Sequence, residues 1–394
     1  MSDEFGYYLP TKIFAGSGQV SILSEQANEF GKNVLLIIPF DLQAITTPVI
    51  KQLKAADFNL QIEEIENGEP TIDFINSLAN RLRGNAYDVI IGLGGGSAID
   101  VAKALSIALT HKEDIWLYAN LSNRPALPLT APLIPVISIA TTSGTGSEVT
   151  PYAVLTKEDT HQKGTIQEPA IFPKVAILDP ELITSLPPAL TASTGLDAFA
   201  HALEASINIS KNAPAAETFG TSAMKKLFKW LPIAYREPQN IKARMKVSWA
   251  SCLAGMAISH RGTTTAHSIA EPLGGLTHIP HGLGVSMATL PVLRHTIMKD
   301  PQCLAKLNQR VLGLTALSDK AAAENFLDTL EGLFNEVDLN KCVKDVLPAD
   351  KCDGLDEVLI ENIMKFKFRP LLQHPVEFDG ESLKPIIKEL IHGR

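Results

Sequence analysis

Asp88-Val89-Ile90-Ile91-Gly92-Leu93-Gly94-Gly95-Gly96-Ser97-Ala98-Ile99-Asp100-Val101-Ala102-Lys103 runs from an apolar strand through a glycine turn into the start of a helix. Such a junction aims backbone N–H groups and the positive end of a helix dipole at one point, and its glycines let a pyrophosphate approach the backbone. The order is not G-x-G-x-x-G, and a tight turn that binds nothing is the plain alternative. A second polar loop, Thr141-Thr142-Ser143-Gly144-Thr145-Gly146-Ser147-Glu148, follows another apolar run and offers further hydroxyl and amide donors. Two such loops after strands favour a bound ligand, because open parallel sheets bind ligands at the carboxyl ends of their strands.

Outward from this loop, Val34–Ile38, Leu60–Ile65, Ile134–Ile139 and Val175–Asp179 are short β-branched runs separated by helix-length segments. Strands apolar on both faces predict a parallel sheet covered on both sides. From Leu190 onward strand-like runs nearly vanish, and Ala, Leu and Lys recur every three or four residues in Thr218–Trp230, Ile241–Met256 and Ala321–Val337. The expected organisation is an α/β Rossmann-like domain over residues 1–188 and an all-helical domain over residues 189–394. Leu186-Pro187-Pro188 marks the boundary, since proline removes a donor and biases its predecessor away from helix.

A chain of 394 residues, 45% hydrophobic and 20% charged, has the material for two folded cores. A net charge of −8 without a dense Lys/Arg block argues against nucleic acid or an anionic membrane as partner and leaves small molecules. The start, Met1-Ser2-Asp3-Glu4-Phe5, is acidic and unlike a signal peptide, and no apolar run reaches spanning length, so a cytoplasmic location is expected. Cys252, Cys303, Cys342 and Cys352 form no C-x-x-C pair and predict neither disulfides nor a thiolate metal site.

Asp197 and His201 in T-G-L-D-A-F-A-H-A-L-E-A stand four apart, on one helix face, after Thr191, Ser193 or Thr194 as caps. His267 falls in another helical stretch, and His281, after Ile279-Pro280, reads as loop-borne. Three imidazoles and a carboxylate suit Fe²⁺ or Zn²⁺ and are too nitrogen-rich for Mg²⁺ or Ca²⁺. His260, His278 and His374 are equally capable ligands on chemistry alone, so spacing does not choose among them.

Together these motifs resemble the iron-containing (group III, metal-dependent) alcohol dehydrogenase family. Also carrying the resemblance are Tyr8-Leu9-Pro10-Thr11-Lys12-Ile13-Phe14-Ala15-Gly16, Ile177-Leu178-Asp179-Pro180-Glu181-Leu182 and His281-Gly282, in order along nearly the whole chain. The resemblance implies a dehydroquinate synthase-like fold with nicotinamide and metal meeting in a cleft between the domains. It implies Asp197, His201, His267 and His281 as ligands, with His260 and His278 excluded. It places phosphate contacts on Gly95, Gly96 and Ser97, with Thr141, Thr142 and Thr145 near the nucleotide and Lys163 at its ribose; Gly94 and Asp100 are counted with this group. The implied reaction is hydride transfer between NAD or NADP and a small alcohol or aldehyde, with a divalent metal, Fe²⁺ ahead of Zn²⁺. A homodimer or higher homo-oligomer is expected.

Three departures from the family pattern bear on detail. Glu271 stands where many members carry a further histidine and could take over proton transfer, add a carboxylate ligand or pair with a nearby cation, a plain salt-bridging glutamate being the alternative; it is counted as catalytic with Asp197 and His267. His260-Arg261-Gly262-Thr263-Thr264-Thr265 replaces a more apolar stretch and suits a polar or anionic substrate, which Arg would grip bidentately, with an outward-pointing Arg261 or a pair with Glu271 as the alternatives. Pro39 stands where NAD-preferring members carry Asp; Asp41 could restore that carboxylate, so the choice between NAD and NADP stays open. Phe366-Lys367-Phe368-Arg369-Pro370-Leu371-Leu372 and Gln373-His374-Pro375 also look unlike common members and either shape a pocket or close the helical domain. The rivals to the dehydrogenase reading are a non-redox lyase or cyclase resembling dehydroquinate synthase, disfavoured by Asp197 where that group has Glu, and a non-catalytic family member.

Overall fold

All five runs expected as strands pair in one parallel sheet in a computed structural model, which describes residues 4–66, 68–121, 124–160, 162–366 and 368–393; Lys367 of the unusual C-terminal stretch lies outside the described residues. The strands are β1 (Lys12–Ala15), β2 (Asn33–Pro39), β3 (Asn59–Ile65), β4 (Val89–Gly94), β5 (Val136–Ala140), β6 (Tyr152–Lys157), β7 (Gln162–Gln167) and β8 (Val175–Leu178). The sheet runs β1-β8-β5-β4-β2-β3, while β6 and β7 form a separate antiparallel pair. Every residue of β4, β5 and β8 is buried, as strands covered on both faces must be. Helices α1 (Leu23–Asn28), α2 (Gln43–Ala55), α3 (Ile72–Leu82) and α4 (Gly96–Ala108) connect them. All strands run parallel, but from β2 the order steps one way to β3 and from β4 the other way to β5, which places the switch point of the sheet between β2 and β4, at the end of the glycine strand.

The chain divides into two compact units. The sheet unit comprises Leu9–Leu186 and Gln239–Cys252; the helical unit comprises the segment ending at Tyr8, Pro187–Pro238 and the chain from Leu253 onward. Relative to a single division at residue 188, two segments change sides. The Gln239 amide donates to the Thr184 carbonyl and Arg244 to that of Leu186, fastening 239–252 to the sheet unit. Tyr7 packs against Phe219 and His260, which holds the N-terminal segment to the helical unit.

The helical unit contains α5 (Pro188–Ile207), α6 (Pro214–Arg236), the second half of α7 (Ile241–Arg261), α8 (Thr265–Thr277), α9 (His281–Lys299), α10 (Gln302–Leu307), α11 (Asp319–Glu336), α12 (Leu355–Phe366), α13 (Phe368–Leu371) and α14 (Gly380–His392). From Thr191 to Ile207 every residue of α5 except Thr194 is buried, so this helix is enclosed on all sides. Two sequence expectations are corrected. Helix α5 starts at Pro188 rather than after a Thr or Ser cap, because proline at the first helical position has its φ already set and no N–H to satisfy. His281 is not loop-borne: Pro280 ends the loop and His281 opens α9. Among the described residues no helix is long and apolar enough to cross a membrane.

Candidate metal centre and dinucleotide loops

Helix α5 presents Asp197 and His201 one turn apart, α8 brings in His267, and the first residue of α9 is His281. Donor atoms of Asp197, His267 and His281 lie within 4.8 Å of one another. Around Asp197 Oδ1 stand His267 Nε2 at 3.5 Å, His281 Nε2 at 3.8 Å and His201 Nε2 at 3.9 Å. Ligands about 2.1 Å from one tetrahedral ion sit roughly 3.4 Å apart, so each imidazole needs to approach Asp197 by only a few tenths of an ångström. Asp197 Oδ1 and His267 Nε2 are buried and have no hydrogen-bond partner among the described residues. Leaving two such atoms unsatisfied costs about 1–3 kcal/mol each, a penalty that a shared cation removes. The residues fit a divalent metal.

Electrostatics agree. Burial would raise the Asp197 pKa, but His201, His267 and His281 around it bring it well below the ordinary carboxylate range. Burial lowers the His201 pKa to about 4, which keeps that imidazole neutral. For His267 burial also acts downward, yet Glu204 and Asp197 beside it prevail and raise it to about 10.

Glu204 is the residue that sequence reading missed. Its Oε2 meets His267 Nδ1, while its Oε1 accepts from the Ala266 N–H at 2.8 Å and the Thr264 hydroxyl at 3.0 Å. With Nδ1 held by Glu204, Nε2 of His267 faces Asp197, and a bound cation would take the place of the Nε2 proton, the carboxylate–histidine arrangement that orients metal ligands. Its signal was present, since Glu204 follows Asp197 by seven and His201 by three residues on the same helix face.

The competing histidines lie elsewhere. His260 contacts the Gly6 carbonyl and packs at a tilt against Tyr7, His278 is exposed at the left-handed C-cap of α8, and both nitrogens of His374 meet threonine hydroxyls. Glu271 is half-buried one turn after His267 on α8. Arg261 does not face a substrate: it pairs with Glu217 at 3.1 Å and donates to the carbonyls of Lys211, Ala205 and Ser206. The basic wall expected from the sequence is thus committed to structure.

In the sheet unit the glycine loop and the Thr141–Glu148 loop follow the adjacent strands β4 and β5, joined by the Thr141 N–H donating to the Gly94 carbonyl at 2.8 Å. Gly95 caps α4 without a side chain, which leaves the first-turn amides of Gly96 and Ser97 to a ligand. A Cβ on Gly96 would lie 2.6 Å from Thr145 Cγ2, and one on Gly94 2.6 Å from Ala98 Cβ, so both glycines are needed for close packing of the loops. Thr142 and Thr145 are half-buried, Thr141 buried, and the buried Ser143 hydroxyl has no hydrogen-bond partner among the described residues.

Asp100 turns inward: its carboxylate accepts from the Ser147 hydroxyl at 2.6 Å and the Val154 N–H at 3.0 Å. Lys103, fully buried, donates to the Ser147 and Tyr152 carbonyls and the Ser147 hydroxyl, tying α4 to the second loop. Lys163 pairs with Glu69. Asp41 is exposed just past β2, and a hollow of about 570 Å³ lined by Phe40, Glu64, Ile65 and Glu66 opens beside it at the ends of β2 and β3.

Comparison with known proteins agrees with this geometry. Residues 10–180 match the iron-containing alcohol dehydrogenase family, and residues 191–366 match the C-terminal domain of the Fe-containing alcohol dehydrogenase family. The 1,3-propanediol dehydrogenase of Klebsiella pneumoniae is 32% identical over 349 residues, 87% of this chain and 88% of its own. Among solved structures, an archaeal halo-thermophilic alcohol dehydrogenase from a Red Sea brine pool superposes with a TM-score of 0.91 at 28% identity, covering 99% of this chain and all of its own. The sulfoacetaldehyde reductase of Bifidobacterium kashiwanohense, solved with NAD+, gives 0.84 at 28% identity with full coverage of both chains. The chain therefore belongs to the iron-containing alcohol dehydrogenase family and is a metal-dependent oxidoreductase acting on CH–OH groups.

Proposed function

We propose that this enzyme exchanges hydride between NAD(H) and a small, polar alcohol or aldehyde, with Asp197, His201, His267 and His281 holding Fe²⁺. The observation that carries the reading is the pair of buried, unpartnered donors, Asp197 Oδ1 and His267 Nε2, in a cluster of three imidazoles. When bound, the cation supplies Lewis acidity toward the substrate oxygen and the dinucleotide supplies the hydride chemistry. The chain's own part is to hold and orient. Asp197 contributes the negative charge, Glu204 fixes the His267 ring, and Glu271 takes or returns the proton of the reacting hydroxyl.

Gly94, Gly95, Gly96 and Ser97 cradle the pyrophosphate, Thr141, Thr142 and Thr145 contact the nucleotide, and Lys163 reaches toward the ribose. Asp100 supports this cradle from beneath. NAD(H) is preferred over NADP(H) because Asp41, Glu64 and Glu66 gather carboxylates at the ends of β2 and β3, where a 2′-phosphate would be repelled. The sulfoacetaldehyde reductase and 1,3-propanediol dehydrogenase among the relatives support substrates with a second polar group. The working form is proposed to be a homodimer or larger homo-oligomer in the cytoplasm.

The test combines metal analysis of anaerobically purified protein with a nicotinamide absorbance assay over small aldehydes. Stoichiometric iron and NADH oxidation are expected, and Asp197→Ala should lose turnover while still binding NADH in a fluorescence titration. Full turnover by Asp197→Ala refutes the ligand assignment; metal binding without net nicotinamide turnover favours the lyase or cyclase chemistry instead. Glu271→Gln should retain metal but lose rate and change the pH profile.

A further inference from the structure

His374 lies 170 residues beyond Glu204 in sequence, yet it is buried in the same unit at 3% exposure. Its Nδ1 is 3.1 Å from Thr264 Oγ1 and its Nε2 is 2.9 Å from Thr296 Oγ1. The Thr264 hydroxyl in turn meets Glu204 Oε1 at 3.0 Å, and Glu204 Oε2 meets His267 Nδ1. A continuous hydrogen-bonded chain thus runs Thr296–His374–Thr264–Glu204–His267.

The chemistry of each group fixes the direction of the bonds between His374 and Glu204. Glu204 Oε1 already receives the Ala266 N–H at 2.8 Å and its Oε2 faces His267 Nδ1, so toward Thr264 the carboxyl acts as an acceptor. The single Thr264 hydroxyl proton therefore points at Glu204. Thr264 Oγ1 must then accept from His374, which requires the proton of that imidazole on Nδ1. Burial keeps His374 neutral, with its pKa lowered to about 4, so Nε2 carries a lone pair toward the Thr296 hydroxyl, whose proton is shared with the Val292 carbonyl at 2.8 Å. From His374 onward each donor points toward Glu204.

We propose that His374 is a positioning residue of the metal centre: its Nδ1–H locks Thr264 as a donor to Glu204, which then holds the His267 ring with Nε2 turned to the cation. The inference rests on the metal-centre reading above. It also gives the unusual Gln373-His374-Pro375 segment a task that packing alone does not require. A histidine present only to fill space would be replaceable by any side chain of similar bulk; a donor at the Nδ1 position would not. Asparagine places its amide nitrogen near that position, whereas leucine fills the volume without a donor.

The experiment measures Zn²⁺ affinity of the full-length, chelator-stripped protein by competition with a chromophoric chelator, and the visible spectrum of the Co²⁺-loaded form. His374→Leu is expected to weaken Zn²⁺ binding 10- to 100-fold and to shift the Co²⁺ bands. Thr264→Val, which keeps the shape one link away, should do the same and keeps the proposal testable if His374→Leu does not fold. Combining the two should add little, since both break one chain. His374→Asn should restore affinity to within roughly threefold of wild type. Wild-type affinity in both His374→Leu and Thr264→Val, or an asparagine variant no better than leucine, overturns the role of His374 alone. A wild-type protein that takes up no Zn²⁺ overturns the metal reading and this inference with it.

Discussion

Gly282→Ala probes how tightly the metal centre depends on the approach of α9 to α5. A Cβ at Gly282 would lie 2.6 Å from the Ser193 carbonyl oxygen and 3.0 Å from its carbon, with Asp197 Cβ at 3.4 Å. A carbon rests no closer than about 3.3 Å to such an oxygen, so the first turn of α9 must withdraw by roughly 0.7 Å. The obstacle is backbone within a buried helix and does not yield. His281 precedes Gly282 and moves with it, whereas metal–ligand distances tolerate only about ±0.2 Å. The expected result is a 10- to 100-fold loss of Zn²⁺ affinity together with about 1–3 kcal/mol of overpacking cost. Gly284→Ala is the matched control: its Cβ would meet Ala270 and Leu273 at 3.6 and 3.7 Å, ordinary contact, and helix propensity favours alanine by up to about 1 kcal/mol. Chelator competition and denaturant unfolding, run on both variants without metal and with excess Zn²⁺, separate the two effects. Gly282→Ala with wild-type affinity, or the two glycines behaving alike, refutes the reasoning.

Glu148, buried near Lys103 and Cys252, has its pKa raised by burial from 4.5 to about 7. The folded protein thus holds a proton there that the unfolded chain releases above 4.5. Its contribution to stability is full below that pH and is lost as pH rises through 7, by roughly 3 kcal/mol. Glu148→Gln should flatten denaturant midpoints between pH 5 and 8, and an unchanged slope would assign the titration to another group. Gly96→Ala drives a methyl to 2.6 Å from Thr145 Cγ2 and should weaken NADH binding at least tenfold while leaving Zn²⁺ affinity unchanged, measured by fluorescence titration and chelator competition; intact NADH affinity would remove the loop from the dinucleotide site.

The central strands were legible because burial on both faces favours apolar residues, and β4, β5 and β8 show that pattern with Ser138 as the one polar member. The β6–β7 pair was not, since Tyr152–Lys157 and Gln162–Gln167 are half-buried and mix Lys, Gln and Thr among apolar residues. Asp197 and His201 could be read from helical spacing, but their meeting with His267 and His281 is a matter of tertiary packing that spacing does not encode. Glu204 was overlooked for the same reason: what it does depends on Thr264 and Ala266, sixty residues away in sequence. Arg261 looked functional by its charge, and only its partners Glu217 and three carbonyls reveal it as structural.

One rod, α5, carries Asp197, His201 and Glu204 at offsets of four and seven residues. Each helical residue turns the chain by about 100°, so those offsets return to within about 40° of the starting direction. An insertion or deletion of a single residue between Asp197 and Glu204 would swing part of the set by a quarter turn or more, and no neighbouring loop could absorb it within a helix buried along its length. The segment can therefore diverge by substitution but not by change of length. In any newly read relative, an alignment gap inside these eight positions is a stronger sign of abandoned metal chemistry than the exchange of one ligand for another.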